Sequence, residues 1–508
     1  MRRLSTLVPA RSRARLLAMV LAALMAALLA VPAGPALAAG EHLDRGQRAE
    51  LREYAADTWR SFVLMTDETS GLPADNVTAD GTRSAYTSPT NIGGYLWSTL
   101  AARSLGLITR REARERMATT LATLEGMERH ESGQYYNWYD PATGAKLERW
   151  PVDNNLLYPF LSSVDNGWLA AALRIVSNAE PRLADEADAI LSGMDFSFYY
   201  DDTVGQLRGG YWPAPPPGQE GCGGYTCFHY GTLNTEPRIA SYLGIAAGDI
   251  PETHYFRTWR TFPATCDWGW QEQQPQGEYR TYLGVEVFEG TYGYRGARFV
   301  PTWGGSMFEA LMVPLFVPEA EWGPRSWGVN HPTYVQAQIA HGLEEAGYGY
   351  WGFSPSNNPS GGYREYGVDQ LGMNPDGYSS DQERTVVDEG FGDCRPPQPP
   401  PADYGQGVVT PHASFLALPY APDQALGNLA ALRADFDAYG EGGFYDAINV
   451  SSGEVSKAWL ALDQSMIMAA IANELRGGIV QRWFVRGEVE QVVRPLLGIE
   501  EFGAAPAP

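Results

Sequence analysis

Basic residues are scarce in this chain of 508 residues: 37 Lys and Arg stand against 60 Asp and Glu. Five of those arginines, Arg2, Arg3, Arg11, Arg13 and Arg15, precede the apolar run Leu16 to Val31, and Ala36-Leu37-Ala38 follows it as a small-residue cleavage site. Residues 1–38 therefore read as a secretory signal peptide. The remainder carries a strong negative charge, which argues against nucleic acid, whose phosphates demand a basic surface. The same charge argues against acidic polysaccharides and leaves neutral partners. No later stretch reaches the roughly 18 uninterrupted apolar residues of a membrane span, so the mature protein is expected to be secreted, free or associated with the cell wall, and monomeric.

Cysteine is also rare. Four residues, Cys222, Cys227, Cys266 and Cys394, fit an oxidising compartment and permit three pairings. Cys222 with Cys227 would close a small loop in "GCGGYTC". The Cys-x4-Cys spacing has no second pair beside it, which speaks against zinc. No Gly-x-Ser-x-Gly elbow and no His-Glu-x-x-His motif occurs. "NPDGYSSDQE" from Asn374 is acidic but departs from the twelve-residue calcium loop, and reads as a solvated loop. No tandem repeat and no Ser/Gly linker divides the chain. The proline-rich "CRPPQPPPADYG" is short and followed by further helical signals, so residues 39–508 are expected to form one domain.

Long alternating strands are missing, whereas three- and four-residue apolar spacing recurs in ten segments. They run from "LDRGQRAELREYAADTWRSFV" near the start to "LDQSMIMAAIANELRGGIV" near the end. Between them lie long loops rich in Gly, Pro and aromatic residues, such as "GGYWPAPPPGQEGCGGY" and "WGFSPSNNPSGGYREYG"; loops of that length are usually functional. The chain holds 15 Trp, 28 Tyr and 18 Phe. Flat rings stack on the C–H faces of sugars, so aromatic loops beside carboxylates point to carbohydrate.

Hydrolysis of a glycosidic bond needs one protonated carboxyl to protonate the leaving oxygen and a second carboxylate to activate water or attack carbon. Five acids are set among apolar or aromatic neighbours: Asp153, Asp165, Glu236, Glu309 and Asp463. Each has a plainer explanation. Asp165 and Asp463 precede apolar helical runs and could be N-caps. A buried Glu309 would have to be paired or protonated. Glu236, in "NTEPRIASYLG", could merely complement a helix dipole. That dipole lowers a carboxyl pKa, so a proton donor there requires desolvation or a second carboxylate nearby.

In order along the chain, "TSPTNIGGYL", "SSVDNGWLAA", "TEPRIASYLGIAAGDIP", "TWGGSMFEALMVP", "YWGFSPSNNPSGGYREYG", "VVTPHASFLALPY", "GGFYDAIN" and "LALDQSMIMAAIANELRGGI" resemble the glycoamylase-like domain of bacterial β-1,2-glucan enzymes. The resemblance covers most of residues 45–485 and is closest to endo-β-1,2-glucanases of glycoside hydrolase family 144; the hydrolytic module of cyclic β-1,2-glucan synthases is also similar. It implies an all-α (α/α)6 toroid and endo-hydrolysis of a β-glucan with inversion, without cofactor or metal. Glu236 matches the glutamate proposed as general acid, and Asp165 falls at an acidic position bordering the cleft. Trp351 and Tyr363 match a loop expected to contact sugar. Asp153, Glu309 and Asp463, with Trp168 and Trp303 in the matching segments, complete the expected substrate site.

The chain departs from that pattern twice. Ser162 and Ser163 stand where the endoglucanases carry a further aspartate, and Pro355 and Ser356 stand where the synthase branch has a glutamate. The first leaves the base open, and the second weighs against a retaining transglycosylase. A glycan-binding protein that has lost catalysis and an exo-acting or transferring enzyme are the alternatives.

Overall fold

In the computed structural model, residues 43–373, 390–397 and 404–507 are described. The signal-peptide segment, the "NPDGYSSDQE" loop and part of the proline-rich excursion lie outside them. Fifteen α-helices occur among the described residues: α1 Arg45–Met65, α2 Pro89–Leu105, α3 Arg110–Gly126, α4 Ser163–Ala179, α5 Ala184–Leu191, α6 Arg238–Ala247, α7 Thr253–Arg257, α8 Met307–Leu311, α9 Glu319–Trp322, α10 Trp327–Ala340, α11 Pro411–Ala417, α12 Pro422–Asp435, α13 Ala461–Arg476, α14 Ile479–Val485 and α15 Glu488–Ile499. Strands are only two to four residues long. Helices α7, α8, α9 and α15, and all but the first two residues of α14, fall outside the segments in which apolar periodicity is evident. Three of them are too short to show a period.

Local chemistry sets the helix boundaries. Asp44 and Gln47 form a capping box at α1, Ser88 caps α2 with Pro89 at its first position, and Thr109 caps α3. Glycines in the left-handed conformation end α2 at Gly106 and α13 at Gly477, where a side chain would be strained.

Two kinds of helix then separate. In α3 only Ala113, Met117, Thr120, Leu121 and Leu124 are buried, a single stripe, as a helix with one wet face requires. In α2 every residue from Pro89 to Ala102 is buried, so α2 is surrounded by protein. Such inner helices form a ring: α2 packs on α4 and α13, α4 on α6, α11 on α13, and α8 on α11. Between α6 and α8 the guanidinium of Arg238 donates to the carbonyls of Glu309 at 3.0 Å and Ala310 at 2.8 Å, joining the ends of the ring. Outside it, α1 lies on α13 and α2, α3 on α2, α5 on α4, α15 on α6, α10 on α8, and α12 on α11. Six inner and six outer helices make the (α/α)6 toroid.

Close approach of the inner helices depends on small residues. A Cβ on Gly94 would lie 2.9 Å from that of Ser465 on α13, and one on Gly167 would lie 2.9 Å from that of Ala240 on α6. The middle of the ring is filled by Trp97, Trp168 and Phe316, whose ring centroids are 5.0 to 6.2 Å apart. Aromatic rings thus fill the centre of the ring of inner helices. Two disulfides, Cys222–Cys227 and Cys266–Cys394, tie down the loops.

Candidate active site

The starts of five inner helices, α2, α4, α6, α8 and α13, meet at one place, where their first turns and nearby loops wall a cavity of about 490 Å³. Its lining includes Asp75, Asp165, Glu236 and Glu365, with Trp168, Phe308, Pro355 and Tyr363 among the apolar and aromatic walls. Four carboxyl groups therefore share one enclosed space. Asp75 precedes α2, Asp165 sits in the first turn of α4, Glu236 precedes α6, and Glu365 comes from the loop before α11.

Glu236 does not cap its helix. Pro237 takes the N-cap position of α6, and no side-chain capping hydrogen bond is made. Burial pushes the Glu236 carboxyl up to about 8, the Glu309 carboxylate adding to the effect ahead of the Glu365 carboxylate. A backbone hydrogen bond and the Arg238 charge oppose it and are outweighed. Desolvation by the walls exceeds the stabilisation that a helix start offers an anion.

The neighbouring acids respond to the same medium. Burial, aided by the Glu309 carboxylate, raises Glu365 to about 7. Burial also raises Asp165, whereas the hydroxyls of Thr90 and Ser162 favour its ionised form; Thr90 Oγ1 donates to Asp165 Oδ1 at 2.6 Å. Asp75 is raised by burial against hydrogen bonds from Asn91 at 2.8 Å and Asn76 at 3.0 Å. Tyr230 feels the charges of Glu236, Asp165 and Glu365 together, and burial with these charges drives its phenol up.

Arg238, two residues after Glu236, fixes this corner. Its guanidinium pairs with both oxygens of Glu319, at 2.8 and 3.0 Å, and donates to three backbone carbonyls. Tyr242 and His331 complete the shell of Glu319. Burial alone would raise that carboxyl; Arg238 overrides it and holds it near 2. Such a site is stable only while the pair is intact.

Of the nine residues singled out from sequence, the cavity brings together Glu236, Asp165, Trp168 and Tyr363. Asp165 is not the N-cap of α4: Ser162 is, its hydroxyl accepting from the Asp165 amide at 3.2 Å. The other five stand elsewhere. Trp351 is 1% exposed and packed in the core, with its backbone bonded to the Asn428 amide, so it presents no surface to a sugar. Glu309, also 1% exposed, forms the capping box of α8 with Ser306 and accepts from the Gly304 amide; it acts on the cavity through its charge. Asp153 is exposed in a turn and accepts from Asn155. Trp303 packs against Trp270, centroids 6.1 Å apart.

Asp463 lies in the first turn of α13 but is buried beside His412 and Asp446. These three place ligand-type atoms within 4.8 Å of one another, the set among the described residues with metal-binding composition. Asp446 and Asp463 are hydrogen-bonded to each other, and burial followed by the Asp463 charge holds Asp446 well above the usual carboxylate range. Burial keeps His412 neutral, down to about 4.

Sequence reasoning missed Asp75 and Glu365. Glu365 was within reach, lying between Tyr363 and Tyr366 in "GGYREYG"; Asp75, in "LPADNVTAD", has no such setting.

A helical toroid with an acid-lined, aromatic-walled cavity at the inner-helix starts is a glycoside hydrolase-like fold. Comparison with known proteins agrees. Residues 273–488 match the glycoamylase family, described as "Putative glucoamylase". Residues 53–211 match a family described as "Protein of unknown function (DUF3131)". The chain is similar to the crystal structure of a "putative glucoamylase" from Bacteroides caccae ATCC 43185, with a TM-score of 0.62 and 20% identity over 89% of this chain and 99% of that one. It is equally similar to the endo-β-1,2-glucanase of Chitinophaga pinensis in complex with sophorotriose and glucose, with a TM-score of 0.62 and 18% identity over 88% of this chain and 98% of that one. In sequence it is 25% identical to the cyclic β-(1,2)-glucan synthase NdvB of Rhizobium meliloti (strain 1021), over 88% of this chain but only 18% of that protein.

Proposed function

We propose that this chain is a glycoside hydrolase that cleaves a neutral β-linked glucan inside the chain, with linear β-1,2-glucan as the first substrate to test. One observation carries the reading: Glu236, in a cavity shared with other carboxyls, holds its proton up to about pH 8. A carboxyl that keeps its proton near neutral pH is suited to protonate a leaving glycosidic oxygen. Glu236 is the proton donor. Asp165 is the proposed partner, because it lines the same cavity and Thr90 Oγ1 donates to its carboxyl at 2.6 Å. An ionised Asp165 would take a proton from the attacking water, directly or through a relay, and the reaction would proceed with inversion.

Support for the substrate class comes from the relatives, which include an endo-β-1,2-glucanase and a cyclic β-(1,2)-glucan synthase. Among the described residues no Lys or Arg lines the cavity, which suits an uncharged sugar. The two disulfides and the N-terminal pattern suit an enzyme working as a secreted monomer outside the cytoplasm.

The test is reducing-end release from linear β-1,2-glucan, followed by chain-length analysis, with Glu236→Gln as control. Endo-hydrolysis gives a ladder of products that the variant does not form. One small product would show exo-action, and products longer than the substrate would show transfer. Binding without new reducing ends would make the protein a glycan binder, and undiminished hydrolysis by Glu236→Gln would remove its assigned role.

A further inference from the structure

We infer that Tyr86, Trp138 and Trp150, together with Asp75, form a preassembled subsite that stacks and orients one neutral pyranose unit of the substrate chain. The inference rests on reading the cavity as a glucan site. All four residues line it, and none of the three rings has been given a role above.

The rings form one cluster. Tyr86 and Trp150 have centroids 4.4 Å apart at 38°, and Trp138 meets them edge-on at 5.5 and 5.2 Å. They are half-buried, packed on each other and open to the cavity. Backbone pairing holds them there before any ligand arrives. Thr87 and Tyr139 exchange N–H to O bonds of 2.9 and 3.0 Å, an isolated antiparallel bridge that ties the residue after Tyr86 to the residue after Trp138. The Leu147 amide donates to the Trp138 carbonyl at 3.0 Å, while the Trp150 amide donates to the Asn155 carbonyl and the Asn154 amide donates to the Trp150 carbonyl, both at 2.8 Å, closing a tight turn. Ordering three large side chains would ordinarily oppose binding; here the fold has already ordered them.

Asp75 supplies the polar half. Its amide donates to the Tyr86 carbonyl at 2.8 Å, so the carboxylate is tied to the ring cluster. One oxygen accepts from Asn91 and the other from Asn76. A carboxylate has about four acceptor positions, so each oxygen can take a further hydrogen bond from the cavity side. A pyranose matches this surface: its C–H face covers an aromatic ring, and adjacent hydroxyls reach a carboxylate at the ring's edge. An anionic sugar would meet Asp75, Asp165 and Glu365 with no Lys or Arg among the described lining residues.

The test uses the full chain carrying Glu236→Gln, so that bound sugar is not consumed, with sophorotriose and long linear β-1,2-glucan as probes. Adding Trp150→Ala should weaken binding of the long glucan roughly tenfold or more. Adding Trp150→Phe should keep most of the affinity, since a ring remains, while reducing the tryptophan-emission change on binding. Affinity unchanged in a folded Trp150→Ala protein overturns the subsite. If that variant does not fold, the Phe variant decides: an emission change as large as in the parent overturns the assignment, and a reduced one supports it. If the wild-type enzyme hydrolyses the glucan but the Trp150→Ala variant binds normally, only the subsite fails. If the wild-type enzyme does not hydrolyse the glucan and the Glu236→Gln protein does not bind it, the reading of the cavity falls with it.

Discussion

Replacing Glu365 with glutamine removes a negative charge near Glu236 while keeping the side chain's shape, and it should move the alkaline limit of activity toward lower pH. At about pH 7, a carboxyl titrating near 8 is ~90% protonated, whereas one at the ordinary 4.5 would be ~0.3% protonated. If proton donation limits the rate, the shift is worth roughly 300-fold in competent enzyme. Glu365 is a smaller cause of that shift than burial and the Glu309 charge. The Gln variant should therefore keep an elevated limit, displaced part of the way down. The assay is kcat/KM for reducing-end release across the pH range. A wild-type alkaline limb near pH 5, or a limb that Glu365→Gln moves upward, would refute the reasoning.

Thermodynamic linkage gives an independent check. Because the folded-state pKa of Glu236 is raised, its contribution to stability is present below the unfolded value of 4.5 and is lost as pH rises through about 8. Glu236→Gln lacks this loss, so its stability relative to wild type should rise between about pH 5 and about pH 9 by on the order of 2 kcal/mol, after discounting for the open cavity face. Thermal unfolding of both proteins across that range measures it; parallel stability curves would contradict the raised pKa.

Two further predictions concern the scaffold. Arg238→Ala leaves Glu319 buried beside Tyr242 and His331 without its cation, at a cost of about 3–5 kcal/mol. It also severs the α6–α8 connection. Urea unfolding should show the loss, and a change below about 1 kcal/mol would mean that the charge is relieved in another way. The disulfides should differ in weight: Cys266–Cys394 spans 128 residues and Cys222–Cys227 spans 5. Loop entropy then assigns about 5 and about 2 kcal/mol respectively. Unfolding of the two Cys-to-Ser pairs tests the order, and equal losses would show that local strain or residual structure dominates.

The helical architecture was legible in the sequence because helix periodicity and capping are local. Ten apolar segments, Ser88 before Pro89 and the glycine at 106 all act within a few residues of themselves. The same locality showed that Asp165, Glu236 and Asp463 stand at or near helix starts. It could not say that those starts converge, since convergence depends on α6 and α8 being joined by Arg238 and on glycines that admit close neighbours. Nor could it say which way an irregular loop turns each side chain. Trp351 and Tyr363 share one loop, yet the first is core and the second, 48% exposed, lines the cavity; Trp150 lines it while nearby Asp153 faces solvent. Without a strand's alternation or a helix's period, no sequence rule separates them. By itself the sequence placed a glutamate before a helix. Only the assembled walls decided that it keeps its proton, because desolvation and the charges of Glu309 and Glu365 come from segments distant in the chain.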